Sequence, residues 1–350
     1  MQAQFSGKAE LLILLNRTLS HLSFMPSTIL SIAKPDFALT ALSRMASDVF
    51  QLRIGFVNVF FIGKKSKWFL IDAGFAPVNA NLIVRTAASV FGKSNPPQAI
   101  LLTHAHFDHV GALESLVNKW QVPVFAHPLE VPYLNGGASY PPADPAVGGG
   151  AMSVVFSRFF PVGPFTLNYP VQNLKEGPFG PMPGWDVIDS PGHSPGHVSF
   201  YRKKDGVLLS GDAFITMNQE SFFSSALTHL PEIHRPPAYF TQDWEKAMAS
   251  VRTLAALKPL TVASGHGQPM KGKPMQNALH KLAANFKDFI PARGRYVKQP
   301  AIFDETGPVF VPPRVWDPIF PWLGGIALAT LVISLLSQTL SRSSASEKRV

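Results

Sequence analysis

The 350-residue chain has no cysteine. Disulfides are excluded, and so is any thiolate metal ligand, so a bound metal must be held by nitrogen and oxygen donors. The absence leaves the redox compartment undecided. Charge is also scarce. Asp, Glu, Lys and Arg make up 15% of the residues, against about a quarter in ordinary soluble domains. Acidic residues are the fewer, 22 against 31 basic ones, for a net charge of +9. A basic surface can attract nucleic acid, anionic lipid or an anionic substrate. No Lys/Arg block with interleaved aromatics occurs, nor any short nucleic-acid signature, so nucleic acid is not an expected partner.

Apolar residues are plentiful, at 46% with 27 Phe. The length suits one large α/β domain with an appendage. From Ile319 to Leu336 the chain is uncharged over 18 residues, near the lower limit for a bilayer-crossing helix. Trp316 and Trp322 mark its start, and Arg342, Lys348 and Arg349 follow it. This predicts a C-terminal transmembrane helix over 319–340 and a single-pass membrane protein with a basic tail at 341–350. Its sidedness stays open, because the missing signal segment and the basic tail point opposite ways. Leu11 to Leu15 is too short for a signal core, so residues 1–44 read as a helical lead-in. Residues 301–318 read as a linker, which leaves 45–300 as the main domain.

Within that domain, β-branched and aromatic runs predict strands at 49–62 (a pair, or one long bent strand), 68–72, 99–102, 122–126, 185–189, 198–202, 207–210 and 260–264. Helical spacing appears at 79–92, 111–120, 242–257 and 275–289. Leu113, Leu116, Val117 and Trp120 share one helix face, as do Trp244, Met248, Val251 and Ala255. Alternating strands and helices indicate an α/β architecture. Two long segments rich in Gly, Pro and aromatics, 131–151 and 216–240, read as loops around a site.

The strand at 99–102 runs into Thr103-His104-Ala105-His106-Phe107-Asp108-His109. Alternate positions of an extended segment point the same way, so His104 and His106 can grip one ion. The following turn can direct Asp108 and His109 at a second. Three more strands end in potential ligands: SPGHSPGH at 190–197, SGD at 210–212 and SGHG at 264–267. Glycine beside each ligand lets the backbone turn sharply. Imidazole with carboxylate suits zinc, and less specifically iron or manganese.

THAHFDHVG, SPGHSPGH, SGDAF and SGHG, in this order, resemble the successive metal-binding motifs of the metallo-β-lactamase superfamily, and Asp72 in LIDAG resembles its early structural aspartate. The resemblance covers about residues 45–272. It implies a four-layer αβ/βα sandwich with two divalent metals, zinc first, at one edge. Carried over by position, His104, His106 and His193 would hold one metal, and Asp108, His109 and His266 the other. Asp212 would bridge them. Asp108 would also act catalytically, orienting a metal-bound hydroxide and passing its proton to the leaving group. His197 and His127 read as structural. His229 and His234 lie in the second long loop and are candidates to touch substrate.

Without cysteine, the β-lactamases that use a Cys ligand are excluded. The resemblance then favours hydrolysis of an ester, lactone or thioester, with a β-lactam still open. A mononuclear-iron persulfide dioxygenase-like oxidoreductase and a phosphodiesterase or nuclease of the same superfamily stay as alternatives. Tyr169, Tyr201 and Tyr239 are unranked candidates for a lactonase-type tyrosine. The aromatic loops and the expected membrane anchor suit a lipophilic small molecule.

Overall fold

Alternation along the strands decides the architecture. Successive strand side chains point to opposite faces, and here both faces are apolar. In the computed structural model, which describes residues 40–65, 67–174, 182–220 and 230–316, strand β3 (Val57–Lys64) sends Val59 and Phe61 to one core and Phe60 and Ile62 to another. Strand β4 (Lys67–Ile71) divides Trp68 and Leu70 from Phe69 and Ile71 in the same way. A sheet apolar on both faces must be covered on both.

These strands belong to a seven-stranded sheet in sequence order. It adds β1 (Thr40–Ala46), β2 (Val49–Ile54), β5 (Ile100–Leu101), β6 (Val124–Ala126) and β7 (Val171–Asn173). The first four strands pair antiparallel, and β4 through β7 pair parallel. Helices α1 (Asn79–Phe91) and α3 (Leu113–Trp120) cover its outer face; a four-residue helix, α2 (Phe107–Val110), precedes α3. Trp68 is fully buried there, stacked on Phe91 with ring centroids 4.5 Å apart.

The inner face packs on a five-stranded sheet. Its order is β12 (Met270–Lys271), β11 (Thr261–Ala263), β10 (Val207–Leu209), β9 (Val198–Arg202) and β8 (Asp186–Asp189). Phe60, Ile71 and Leu101 meet Val198, Phe200 and Leu209 between the sheets. Helices α4 (Trp244–Ala256) and α5 (Gly272–Ala284) cover the far side through Val251, Leu254, Met275 and Leu279. The four layers are therefore helix, sheet, sheet, helix, as expected.

The differences lie mainly toward the ends, with strand β7 and the two-residue β12 also unexpected. Residues 40–44, read as part of a helical lead-in, belong to strand β1, while 1–39 lie outside the described residues. The segment at 49–62 is a strand pair, turned at Gly55 in the left-handed region (φ 61°). Residues read as linker include a hairpin of β13 (Ile302–Asp304) and β14 (Gly307–Phe310).

The bilayer-crossing helix expected over 319–340 is not supported. Among the described residues no helix is long and apolar enough to cross a membrane. The longest described helices have 13 residues, about 20 Å against a hydrocarbon core of about 30 Å. Residues 317–350, which carried the expectation, lie outside the described residues. The membrane partner and single-pass placement fall with that helix.

Candidate metal centre

Six loops converge on one rim, and strand direction explains why. Strands β4, β5 and β6 are parallel, so Asp72, the His104 loop and the segment after Ala126 leave the first sheet on the same edge. In the second sheet β10 and β11 are parallel, and β8 and β10 both run against β9. Thus the loops bearing His193, Asp212 and His266 also share an edge. Ligand sites in open α/β sheets form at such carboxyl ends.

Three overlapping groups of ligand atoms result, one of them His104, His109 and Asp212. His104, His106 and His193 lie together, and so do Asp108, His109 and His266; within each group the atoms are within 4.8 Å of one another. Asp212 sits between them. Its Oδ2 is 3.5 Å from His193 Nε2 and 3.0 Å from His266 Nε2, and its Oδ1 is 3.7 Å from His109 Nε2. All seven side chains are buried.

Hydrogen bonds set which ring nitrogen faces inward. Asp72 accepts the Thr103 N–H on Oδ1 (2.8 Å) and the Thr103 hydroxyl on Oδ2 (2.8 Å). Having given its proton to Asp72, that hydroxyl can only accept from His104 Nδ1–H, 3.0 Å away. His109 Nδ1–H donates to Asp72 Oδ2 at 2.8 Å, and His266 Nδ1–H to the Phe56 carbonyl at 2.7 Å. The Nε2 lone pairs of His104 and His109, and Asp212 Oδ1, are buried with no hydrogen-bond partner in the protein. Buried acceptors are normally satisfied. A divalent cation supplies what these lack, so the residues fit one.

Proton affinities follow from the surroundings. Burial, then the neighbouring histidines, holds His104 and His106 well below the usual imidazole value, and burial brings His193 to about 4. His109 and His266 go the other way: burial opposes their cations, but Asp72 and Asp212 outweigh it for His109, and Asp212 for His266. Asp212 is held well below the carboxylate range, because His266 and His109 outweigh the burial that opposes its charge. Burial pushes Asp108 up, with His109 and His266 pulling back.

His197 is engaged elsewhere. Its Nε2 accepts the Asp212 N–H (2.8 Å) and its Nδ1 meets Ser190 Oγ (2.9 Å), so it shapes the Asp212 loop. His127 accepts the Leu129 N–H at the start of the turn Pro128–Glu130. His234 bonds the Arg235 carbonyl at 3.2 Å, and His229 lies outside the described residues.

Sequence reasoning missed several residues. Glu130 is fully buried and bonds the loops of His106 and His193. Tyr140 packs its ring 4.4 Å from that of His106, which also stacks on Phe240 at 4.8 Å. Asn58 ties the first sheet to the His266 loop, its amide donating to the carbonyls of Ser264 and Gly267 at 2.8 Å. Each acts on residues far along the chain, where no local spacing signals it. Phe56, Phe107, Phe160, Tyr239 and Phe240 close the cavity over the ligands. The loop 216–240 supplies two of these, as expected.

The profile of the metallo-β-lactamase superfamily matches residues 52–266. A probable metallo-hydrolase of Bacillus subtilis, YflN, is 42% identical over 242 residues, 68% of this chain and 90% of its own. A hydroxyacylglutathione hydrolase of Nitrosomonas eutropha is 28% identical over 47% of this chain and 49% of its own. A solved subclass B3 metallo-β-lactamase of Bradyrhizobium japonicum aligns with 71% of this chain and 92% of its own, at 19% identity and a TM-score of 0.46. By the profile and the Bacillus relative, the chain belongs to the metallo-β-lactamase superfamily, as one of its metallo-hydrolases.

Proposed function

We propose that the chain is a binuclear hydrolase of an ester, lactone or thioester with an apolar acyl part. The observation that carries this is Asp212 Oδ2, set between His193 and His266 and so between two groups of inward-facing donors. In this reading His104, His106 and His193 hold one divalent ion, Asp108, His109 and His266 the other, and Asp212 spans both; zinc is the first candidate for the donor set. When bound, the pair would supply Lewis-acid polarisation of the substrate oxygen and lower the pKa of a water to about 7.

The chain's own residues would do the rest. Asp108 would take a proton from the attacking water and return it to the leaving group. Of the three candidate tyrosines, Tyr201 bonds the Leu257 carbonyl and Tyr169 packs against the outer core of the first sheet. Tyr239 lines the cavity, and burial, then Asp108 and Asp212, keeps its phenol protonated. It is therefore the donor we assign to the developing oxyanion or leaving group.

The aromatic rings of Phe56, Phe107, Phe160 and Phe240 beside the ligands suit an apolar acyl group. Among the described residues around the cavity there is no lysine or arginine, which disfavours glutathione carboxylates and phosphodiesters. Phe107 also borders a groove of about 370 Å3 that includes Phe75, Leu134, Pro164 and Phe165. The hydroxyacylglutathione hydrolase relative supports cleavage of an acyl bond rather than its glutathione part. The test is metal analysis of the purified protein beside a panel of aliphatic esters, lactones, acyl thioesters, β-lactams and phosphodiesters. Two metals per chain and turnover of acyl substrates, both lost in His104→Ala, are expected. A His104→Ala protein that keeps two metals and full turnover refutes the assignment.

A further inference from the structure

We propose that Glu130 is a positioning residue of the metal centre, clamping the loop of His104 and His106 to the loop of His193. The inference rests on the metal-binding reading above.

Glu130 reaches the site at the end of the turn that His127 caps. Its Oε2 accepts from the Ala105 N–H (2.9 Å) and the Tyr140 hydroxyl. Its Oε1 accepts from Ser194 Oγ (2.8 Å) and the Gly196 N–H (2.7 Å). Ala105 lies between His104 and His106, and Ser194 directly follows His193. Gly196 permits the approach: a Cβ there would stand 2.9 Å from Glu130 Cγ. Two donors on each oxygen use a carboxylate's acceptor capacity in full.

The ring anchors show why a clamp is needed at these two loops. A metal-binding histidine ordinarily donates its second ring N–H to a fixed partner. His104, His109 and His266 do so, to Thr103, Asp72 and the Phe56 carbonyl. His106 Nε2 and His193 Nδ1 have no hydrogen-bond partner. Both histidines without a ring anchor stand next to a residue that Glu130 holds, Ala105 beside His106 and Ser194 beside His193. Their facing atoms, His106 Nδ1 and His193 Nε2, are 2.9 Å apart. Tyr140 adds a second restraint, since its hydroxyl donates to Glu130 and its ring packs on His106.

Glu130→Gln tests this. The amide keeps the volume but turns an NH2 toward two donors. Zinc competition against a graded chelator and the cobalt(II) ligand-field spectrum read the two sites separately. The first group should lose about 10–100-fold in affinity, and the Asp108, His109 and His266 group much less. Ser194→Ala removes one bond and Tyr140→Phe two, the one its hydroxyl donates to Glu130 and the one it accepts from the Ala105 N–H (3.1 Å), and each should weaken the first site by a smaller factor; they carry the test if Glu130→Gln does not fold. Wild-type affinity at the first site in the folded variants overturns the clamp, as does an equal loss at both sites. Wild-type protein that takes up no metal overturns the functional reading instead, and is measured first.

Discussion

Asp72 and His109 are 37 residues apart in sequence, and Asp72 Oδ2 accepts a hydrogen bond from His109 Nδ1–H across 2.8 Å with both side chains fully buried. The same carboxylate holds both polar groups of Thr103, and through its hydroxyl it orients His104. One side chain thus aims an imidazole into each ligand group. It does so from a left-handed backbone (φ 60°), a conformation aspartate tolerates better than most residues.

Asp72→Ala should therefore damage both groups. It leaves the Thr103 N–H and His109 Nδ1–H buried and unpaired, at about 1–3 kcal/mol for each. A lower urea midpoint and loss of both metals by mass spectrometry are expected. An unchanged midpoint with full metal content refutes this account.

Gly265→Ala should act most on the group that contains His109. A Cβ at Gly265 would stand 2.1 Å from Asp212 Oδ1 and 2.6 Å from His109 Cε1, far inside contact distance. The methyl must displace both ligands. We expect a folded protein, by circular dichroism, that loses the ion at Asp108, His109 and His266 and, because Asp212 serves both groups, holds the ion at His104, His106 and His193 more weakly. Two tightly held metals in the variant would contradict the placement.

The groups should release metal at different pH. Ring nitrogens must be deprotonated to bind a cation. His104, His106 and His193 are shifted down, His193 to about 4, so they stay neutral well into acid. His109 and His266 are shifted up, so protons compete there even near neutrality. Lowering the pH from about 7.5 to about 5.5 should strip the Asp108, His109 and His266 equivalent first. In the metal-free chain the depressed group contributes stability above about pH 6.5, and loses it as pH falls toward the folded values, because unfolded imidazoles take protons the buried ones refuse. Metal retention measured against pH, and simultaneous loss of both equivalents, decide the matter.

Tyr239→Phe should lower kcat for an acyl substrate about 100-fold, as loss of one oxyanion donor does. Metal content should not change. Tyr201→Phe, which removes only a bond to the Leu257 carbonyl, should leave kcat alone. Equal effects of the two variants would remove Tyr239 from its assigned role.

The fold's layers were legible because both faces of β3 and β4 are apolar and the helices carry one apolar stripe. The ligand loops were legible because His104, His106, Asp108 and His109 sit within six positions, and glycines mark the turns at His193 and His266. What stayed hidden acts over distance. Glu130 meets donors 25, 64 and 66 residues away, and nothing in AHPLE announces them. Strands β13 and β14 were missed because each is short and carries a Pro, Gly or Asp that reads as loop. The helix expected at 319–340 rested on hydropathy, flanking tryptophans and a basic tail, without a packing partner to weigh against them.

His104, His106, Asp108 and His109 come from the first sheet, and His193, Asp212 and His266 from the second. Cations shared across that seam would act as rivets between two halves of the molecule. Chelation should then loosen the seam before it melts either half, and limited proteolysis should quicken when the metals are removed. Resistance to digestion would report metal loading in a crude extract, with no substrate in hand.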